Sequence, residues 1–226
     1  MTDLYIIHGW TYTVEPWRNT LKLLQDDGFK VKMLHVPGLT KPSDQVYTID
    51  DYVDWANENI PDGAVALGHS NGGRILLNLC AKNPEKLKHL ILLDAAGVYE
   101  PSARKQLVTK LAKLGKPLKK IPIVDKAFHR ITGSTDYSRA PENMKKTLAN
   151  MLNSDKDLDL TKVETPTFIL WGKKDTTTPP RQATAMYEKL PHAELKFYAS
   201  WTHAPYISDP KGLARALSVL IRRFKS

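Results

Sequence analysis

Ser70 lies in the pentapeptide Gly68-His69-Ser70-Asn71-Gly72, which fits the pattern G-x-S-x-G. An apolar run that ends at Leu67 precedes this segment, and a helical pattern begins near Gly73. A serine at such a strand-to-helix turn adopts a strained backbone that exposes its hydroxyl, and small flanking residues relieve the crowding. The pattern therefore predicts a nucleophilic serine. Because its hydroxyl is weakly nucleophilic near neutral pH, it needs a base and an orienting acid.

Two later loops offer that base and that acid. Among the seven histidines we favour His203 as the base, since it follows the last predicted strand and precedes the last predicted helix. Asp175, just after the predicted strand at 167–171, is the predicted acid. Asp94 ends the preceding strand and is the alternative acid, although we interpret it as an acceptor of loop hydrogen bonds. Ser70, Asp175 and His203 all follow the carboxyl ends of predicted strands, where open α/β sheets form their ligand crevice.

The tetrahedral intermediate of acyl transfer needs hydrogen-bond donors for its oxyanion. The backbone N–H of Asn71, directly after the serine, is one predicted donor. The loop His8-Gly9-Trp10 follows the first predicted strand and supplies the other donor, which we assign to the N–H of Trp10. His8, His69 and Trp201 flank these loops and are predicted to lie at the substrate pocket.

No metal ion or other cofactor is predicted. The histidines lack a metal-ligand pattern such as H-x-x-x-H. Cys80 is the one cysteine of the chain, which excludes an intrachain disulfide and a multi-cysteine metal site. Its place on the apolar face of the helix after Ser70 predicts a buried, small hydrophobic residue.

Short apolar runs alternate with helical patterns over most of the chain, which predicts βαβ units and a parallel sheet. The predicted strands cover residues 4–7, 29–36, 64–67, 87–93, 167–171 and 194–198. The predicted helices cover residues 14–27, 49–60, 74–81, 180–189 and 211–224, the last with Asp209 as its N-cap and Pro210 at its first position. From Val98 to Asp159 the alternation stops while helical patterning continues. We interpret residues 98–159 as a helical cap insertion in one core formed by 1–97 and 160–226.

The composition is that of a globular chain. With 226 residues, 42% hydrophobic and 25% charged, the length suits one α/β domain with an insertion and the apolar fraction argues against wholesale disorder. No apolar run approaches the roughly 20 residues of a membrane span, and the first residues do not resemble a secretory signal, so a cytoplasmic location is expected.

The formal net charge of +9 is concentrated in one stretch. Residues 98–146 contain 12 basic and 4 acidic residues, so nearly all of the excess falls within the predicted insertion. We favour a solvated helical face as the explanation. Attraction of an anionic substrate, an acidic carrier or an anionic lipid surface is the functional alternative. Nucleic-acid binding is disfavoured because no recognised module accompanies the charge.

Four segments together resemble the α/β-hydrolase superfamily: HGW at 8–10, GHSNGG at 68–73, WGKKD at 171–175 and THAPYISDP at 202–210. The resemblance implies a Ser70–His203–Asp175 triad, an oxyanion region at Gly9, Trp10 and Asn71, and a helical cap. The family core usually opens with an antiparallel region before the HG loop, and here only three residues precede the first strand. We therefore expect a doubly wound, six-stranded, all-parallel sheet of order 2-1-3-4-5-6. Its open edges allow a homodimer as well as a monomer.

These observations predict a serine hydrolase that cleaves small-molecule carboxylic esters with small or medium acyl groups through an acyl-enzyme. Serine at position 70 argues against the dehalogenases and epoxide hydrolases of the superfamily, which use an aspartate nucleophile. Other triad enzymes remain alternatives, namely a thioesterase, lactonase, C–C bond hydrolase, aminopeptidase or acyltransferase. A non-catalytic ligand-binding protein is the alternative from a different class.

Overall fold

The computed structural model describes residues 3–99 and 140–225. Residues 100–139 hold most of the predicted cap and of the basic stretch, so the predictions made for that part of the chain lie outside the described residues. Within the described ranges, no helix has the length and apolar character that a membrane span requires.

The described residues contain a six-stranded sheet in which all neighbouring strands are parallel. Its strands are β1 Leu4–Ile7, β2 Val31–Leu34, β3 Ala64–His69, β4 Leu87–Leu93, β5 Thr167–Gly172 and β6 Ala193–Tyr198. Their spatial order is β2-β1-β3-β4-β5-β6. The predicted strand order is therefore confirmed, and the carboxyl ends of the strands form one edge at which the predicted site residues follow.

Helices cover both faces of this sheet. They are α1 Arg18–Asp26, α2 Ile49–Asn59, α3 Asn71–Lys82, α4 Glu142–Ser154, α5 Pro180–Tyr187, α6 Pro205–Ser208 and α7 Pro210–Lys225. Because side chains alternate along a strand, Ile7 packs into the core beneath α2, α3, α4 and α5, whereas Ile6 packs into a second core beneath α1 and α7. The sheet is thus buried on both faces, as a doubly wound fold requires.

Strand β2 and the first helix differ from their predicted bounds, and local structure explains both differences. Strand β2 is shorter than the predicted 29–36, because the N–H of Phe29 closes the end of α1 and the carbonyl of Val36 turns back to accept from Leu39 and Lys41. The first helix begins at Arg18, after a separate 3₁₀ turn over Glu15–Trp17, and not at residue 14.

The end of the chain follows its predicted pattern. Asp209 caps α7, with its Oδ1 accepting from the N–H of Gly212 at 2.9 Å and Pro210 in the first helical position. Its Oδ2 accepts from the indole N–H of Trp201 at 2.9 Å. This capping aspartate therefore also ties the start of α7 to the loop that carries His203.

Helix α4 belongs to the part of the predicted insertion that the structure describes, and it packs on the core. In α4, Thr147 Oγ1 accepts from the N–H of Tyr47 at 2.9 Å, and the Asn150 amide donates to the carbonyl of Tyr47 at 2.9 Å. The Asn143 amide donates to the carbonyls of Ser43 and Gln45, each at 3.0 Å. Helix α4 is therefore fixed to the loop between β2 and α2.

Candidate active site

Ser70 forms the turn between β3 and α3. Its backbone has φ 51° and ψ −119°, a left-handed conformation that is strained for a residue with a side chain. The turn is held because the Ser70 carbonyl accepts from the N–H groups of Gly73 at 3.0 Å and Ala96 at 2.9 Å. A Cβ on Gly72 would collide with the carbonyl oxygen of Ile7, so glycine is needed where α3 crosses the end of β1.

The residues predicted to form the triad lie together. His203 Nε2 is 3.1 Å from Ser70 Oγ, and His203 Nδ1 is 2.8 Å from Asp175 Oδ2. Both distances are within hydrogen-bond reach, and the histidine side chain retains 20% of its exposure while the Asp175 side chain has none. This geometry can take a proton from the serine and hold the resulting imidazolium against a carboxylate.

Asp175 is surrounded by donors. Its Oδ1 accepts from the N–H groups of Thr177 at 2.7 Å and Thr178 at 3.0 Å, and its Oδ2 lies 2.7 Å from the Thr178 hydroxyl. Burial raises the pKa of Asp175, but the hydrogen bonds and charge of His203, together with those threonine donors, outweigh burial and hold the pKa below its usual value. The carboxylate is therefore stabilised in its charged form.

Asp94 lies beside this cluster, and among the described residues no hydrogen bond joins its side chain to His203. Its Oδ1 accepts from the N–H of Gly172 at 2.8 Å, while Oδ2 has no hydrogen-bond partner among the described residues. Burial raises its pKa well above the usual value, and the Asp175 carboxylate raises it further, although the Gly172 N–H acts in the opposite sense. The backbone carbonyl of Asp94 lies 3.0 Å from the hydroxyl of Thr178, which connects the two aspartate loops.

His69 lies beneath the histidine loop. Its Nε2 is 2.7 Å from the carbonyl oxygen of His203, so Nε2 carries the proton and donates it. Burial, followed by the charge of His203, lowers the pKa of His69 to about 3, so its ring is neutral. The rings of Trp17 and Tyr206 pack against it edge-on, with centroid separations of 5.9 and 5.1 Å.

The described residues line a cavity of about 650 Å³ beside Ser70. They come from the loops after β1, β4 and β5, from the starts of α3 and α5, and from α4 and its end. The lining residues are Trp10, Ser70, Asn71, Arg74, Ala96, Gly97, Val98, Tyr99, Leu148, Leu152, Asp155, Asp175, Thr176, Thr177, Thr178, Pro179, Arg181 and Gln182. A volume of this order accommodates a small organic ligand.

The structure places His8, His69 and Trp201 outside this lining. His8 Nε2 lies 2.8 Å from the Thr40 hydroxyl, and burial lowers its pKa to about 4. Trp201 stacks on Tyr198 with a centroid separation of 3.6 Å, in the core beneath α1 and α7. The prediction that these three residues line the pocket relied on their closeness in sequence to site loops, which does not fix the direction of a side chain.

Trp10 and Asn71, the residues predicted to supply oxyanion donors, both line the cavity. Gly9 adjoins the serine, because a Cβ on Gly9 would lie 2.9 Å from Ser70 Cβ. The backbone of the loop after β1 is therefore close to the candidate nucleophile. The assignment of the two N–H groups to an oxyanion stays a prediction.

A buried ion pair in the cavity wall was not predicted. Arg74 Nε and a terminal guanidinium nitrogen lie 2.6 and 2.9 Å from the carboxylate oxygens of Asp155, and the other terminal nitrogen donates to Asn71 Oδ1 at 2.5 Å. Arg74 is 3% exposed. The sequence holds one signal for it, an arginine four residues after Ser70 in a mainly apolar helix, where positions i and i+4 share a face.

The described residues contain no group of three histidine, cysteine, aspartate or glutamate side chains able to hold a metal ion. Cys80 is buried, and burial raises the pKa of its thiol to about 11. Acyl transfer by the serine, histidine and aspartate is the chemistry that this arrangement supports.

Comparisons with known proteins match the chain to a hydrolase family model and to proteins named as esterases. Residues 4–116 match the family model described as alpha/beta hydrolase fold. A pimeloyl-[acyl-carrier protein] methyl ester esterase of Neisseria meningitidis serogroup C is 26% identical, with 98% of this chain and 92% of that protein aligned. The esterase of the same name from Nitrosomonas europaea is 22% identical, with 96% and 95% aligned.

Solved structures match over nearly the whole chain. A thermophilic esterase from Thermogutta terrifontis has a TM-score of 0.67 at 19% identity, covering 99% of this chain and 90% of that one. A monoacylglycerol lipase from Paleococcus ferrophilus has a TM-score of 0.69 at 16% identity, covering 98% and 94%. At these identities the similarity shows a shared fold.

Proposed function

The chain belongs to the α/β-hydrolase family, and from that premise we propose that it is a serine hydrolase that cleaves carboxylic esters with small or medium acyl groups. The observation that carries the proposal is the continuous hydrogen-bonded chain from Ser70 Oγ through His203 to Asp175. The esterase names of the relatives support ester cleavage as the reaction.

In the proposed mechanism, Ser70 Oγ attacks the ester carbonyl while His203 Nε2 takes its proton. Asp175 fixes the imidazole tautomer and stabilises the imidazolium. The backbone N–H groups of Trp10 and Asn71 donate to the oxyanion, and such a donor typically contributes about 3 kcal/mol to transition-state stabilisation. His203 then protonates the leaving alcohol as the ester C–O bond breaks, and water releases the acyl group by the same steps.

Substrate size follows from the cavity. Its wall combines apolar residues of α4, Leu148 and Leu152, with the polar groups of the strand-end loops. We propose that residues 98–159 act as a cap that bounds this acyl pocket and limits the access of water. The methyl ester named in the relatives makes a small alcohol group the first candidate for the leaving side.

A fluorophosphonate probe followed by mass spectrometry tests the proposal directly. We expect one adduct on Ser70, loss of that adduct in Ser70→Ala, and loss of p-nitrophenyl acetate turnover in the same variant. Ser218→Ala is the matched control, because Ser218 is a buried serine on α7, away from the cavity, and should retain both signals. Turnover that survives in Ser70→Ala would refute the nucleophilic role.

A graded panel of p-nitrophenyl esters, with an acyl-CoA included, then measures acyl-chain length and tests thioester cleavage. We expect the highest kcat/KM for chains of small or medium length. A clear preference for the acyl-CoA would indicate that the enzyme uses the same triad to hydrolyse thioesters and not oxygen esters.

A further inference from the structure

His69 directly precedes the candidate nucleophile, yet its side chain lies outside the lining of the cavity. The residue ends β3 and is 3% exposed. Its Nδ1 is buried and has no hydrogen-bond partner among the described residues. An unpaired buried nitrogen is unfavourable, and an apolar side chain at this position would avoid it. The reason for a histidine here therefore lies in what its other ring nitrogen does.

That nitrogen connects the turn at Ser70 to the loop of His203. His69 Nε2 donates to the carbonyl oxygen of His203 at 2.7 Å, and His203 Nε2 lies 3.1 Å from Ser70 Oγ. The two contacts span 134 and 133 positions and join the same two segments of the chain. The dipeptide His69-Ser70 thus holds His203 at two points, its backbone carbonyl and its ring.

The histidine loop is also bonded to the loop after β5. The carbonyl of Trp201 accepts from the N–H of Lys174 at 3.0 Å. That bond does not involve the segment that carries Ser70, so it does not set the distance between nucleophile and base. The bond from His69 fixes the His203 peptide relative to the nucleophile, and that peptide determines the position from which the imidazole extends.

The ring of His69 is itself held in place. Trp17 and Tyr206 pack edge-on against it and stack on each other with a centroid separation of 4.2 Å. On the side of the loop after β1, a Cβ on Gly9 would lie 2.9 Å from His69 Nδ1. Because the ring is packed on several sides, the direction of its Nε2–H is fixed.

The neutral ring of His69 also suits its place beside the candidate base. Its centroid lies 4.9 Å from that of His203, which becomes an imidazolium in the proposed mechanism. A second positive charge at this distance would oppose that step. Burial, followed by the charge of His203, lowers the pKa of His69 to about 3, so the ring stays neutral and keeps its Nε2 proton at neutral pH.

We propose that His69 is a positioning residue, whose hydrogen bond to the His203 backbone holds the imidazole within reach of Ser70 Oγ. This inference rests on the proposed function and adds a residue to it. A misplacement of about 1 Å can reduce the rate of a catalysed step by about 100-fold. Loss of the bond should therefore slow proton transfer. It should leave ligand binding unchanged, because the His69 side chain lies outside the cavity lining.

Two substitutions separate this hydrogen bond from packing. His69→Gln places an amide nitrogen at the same number of bonds from Cα as Nε2, so it can still donate to the carbonyl of His203. His69→Met has a similar reach and no donor. If His69→Met does not fold, His69→Phe takes its place, since it keeps an aromatic ring against Trp17 and Tyr206 and also lacks the donor.

The reaction with a fluorophosphonate measures these variants in one chemical step. Ser70 Oγ forms a bond to phosphorus as fluoride leaves, and His203 takes the serine proton. Its concentration dependence gives the maximal rate constant kinact and the half-saturating concentration KI separately. We expect kinact to fall at least tenfold in His69→Met and to stay within threefold of wild type in His69→Gln. The KI should change less than twofold in both.

Tyr52→Phe is the control for the loss of a buried hydrogen bond. The Tyr52 hydroxyl donates to the carbonyl of Pro37 at 2.9 Å, and the residue lies outside the cavity lining. The variant should lower the free energy of unfolding in urea and leave kinact unchanged. Equal values of kinact for His69→Met and His69→Gln would overturn the positioning role, as would a change confined to KI.

Crystal structures of the variants test the inference independently of any activity. The distance from His203 Nε2 to Ser70 Oγ should stay near 3.1 Å in His69→Gln and lengthen by about 0.5 Å or more in His69→Met. An unchanged distance in His69→Met would overturn the positioning role at any level of activity. A wild-type protein that the fluorophosphonate does not label on Ser70 would refute the proposed function, while the two distances would still decide the positioning role.

Discussion

The loops after β4 and β5 each place a buried aspartate at the same edge of the sheet, yet the two carboxyl groups have different hydrogen-bond partners. Asp94 is 0% exposed and Asp175 is 3% exposed. Asp175 accepts hydrogen bonds from two backbone N–H groups and lies against the Thr178 hydroxyl and His203. One carboxylate oxygen of Asp94 accepts from Gly172, and the other has no partner among the described residues.

This difference shows how neighbouring carboxyl groups acquire distinct roles. Donors around Asp175 hold its pKa below the usual value, whereas burial and the nearby Asp175 charge raise the pKa of Asp94. Ionisation of both neighbouring carboxyl groups is unfavourable because their negative charges repel each other. The charge therefore resides on Asp175, which accepts more hydrogen bonds. We infer that Asp175 serves as the acid of the proposed triad and that a neutral Asp94 organises the loop carrying it.

The largest effect expected from this comparison is on Asp175. Asp175→Asn replaces the acceptor facing His203 by a group that can donate to Nδ1, which favours the wrong imidazole tautomer and removes the stabilising charge. We expect kcat for p-nitrophenyl acetate to fall by about 10⁴-fold, the size of effect found for such a change in a Ser-His-Asp triad. Steady-state kinetics measure it, and a fall of less than tenfold would transfer the role of acid to Asp94.

The second prediction concerns the pH dependence of stability. A folded-state pKa that is raised for Asp94 contributes stability at pH values below its unfolded pKa, and this contribution is lost as pH rises toward the folded pKa. Asparagine does not ionise, so the Asp94→Asn variant does not lose stability in this way as the pH rises. The free energy of unfolding of Asp94→Asn relative to wild type should therefore rise by about 1.4 kcal/mol per pH unit above about pH 4, until Asp94 ionises in the folded protein.

Urea denaturation at pH 4.5, 5.5 and 6.5 measures this change. Asp54→Asn serves as the control, since Asp54 is an exposed aspartate on α2. Its stability difference from wild type should stay nearly constant over the same range. A constant difference for Asp94→Asn would show that Asp94 is already ionised in the folded protein.

A smaller effect is expected for Thr178, whose hydroxyl lies between the two loops. It is 2.7 Å from Asp175 Oδ2 and 3.0 Å from the carbonyl oxygen of Asp94. Thr178→Val removes a donor to a charged group, so we expect kcat to fall about tenfold. Thr165→Val is the matched control, because that buried hydroxyl donates to the carbonyl of Pro84 instead. Equal effects of the two changes on kcat would remove Thr178 from the proposed positioning network.

Most of the fold could be predicted from the sequence, because the patterns that indicate strands, helices and turns are formed by residues close together in the chain. Alternation of apolar runs with helical patterns predicted the parallel sheet, and the G-x-S-x-G pattern located the turn at Ser70. The strand order was what the resemblance to the α/β-hydrolase superfamily implied. The juxtaposition of Ser70, Asp175 and His203 followed from one topological rule, that parallel strands end at the same edge.

Contacts between distant residues that no topological rule brings together could not be predicted. The ion pair of Arg74 with Asp155 joins residues 81 positions apart, and no local period links them. The bond from His69 to the carbonyl of His203 spans 134 positions. The direction of Trp201 depends on its stacking against Tyr198 and its bond to Asp209, which adjacency to His203 does not reveal.

The smallest expected effect is that of Asp94→Asn on kcat, and it gives the clearest test of the different roles of the two aspartates. Asp94→Asn keeps an oxygen that can accept from Gly172, and asparagine tolerates the left-handed φ of 44° at this position. An amide also resembles a protonated carboxyl group in shape and charge, so kcat should stay within about threefold of wild type. A loss comparable to that of Asp175→Asn would mean that Asp94 carries charge during catalysis, and the two carboxyl groups would then act as one coupled acid.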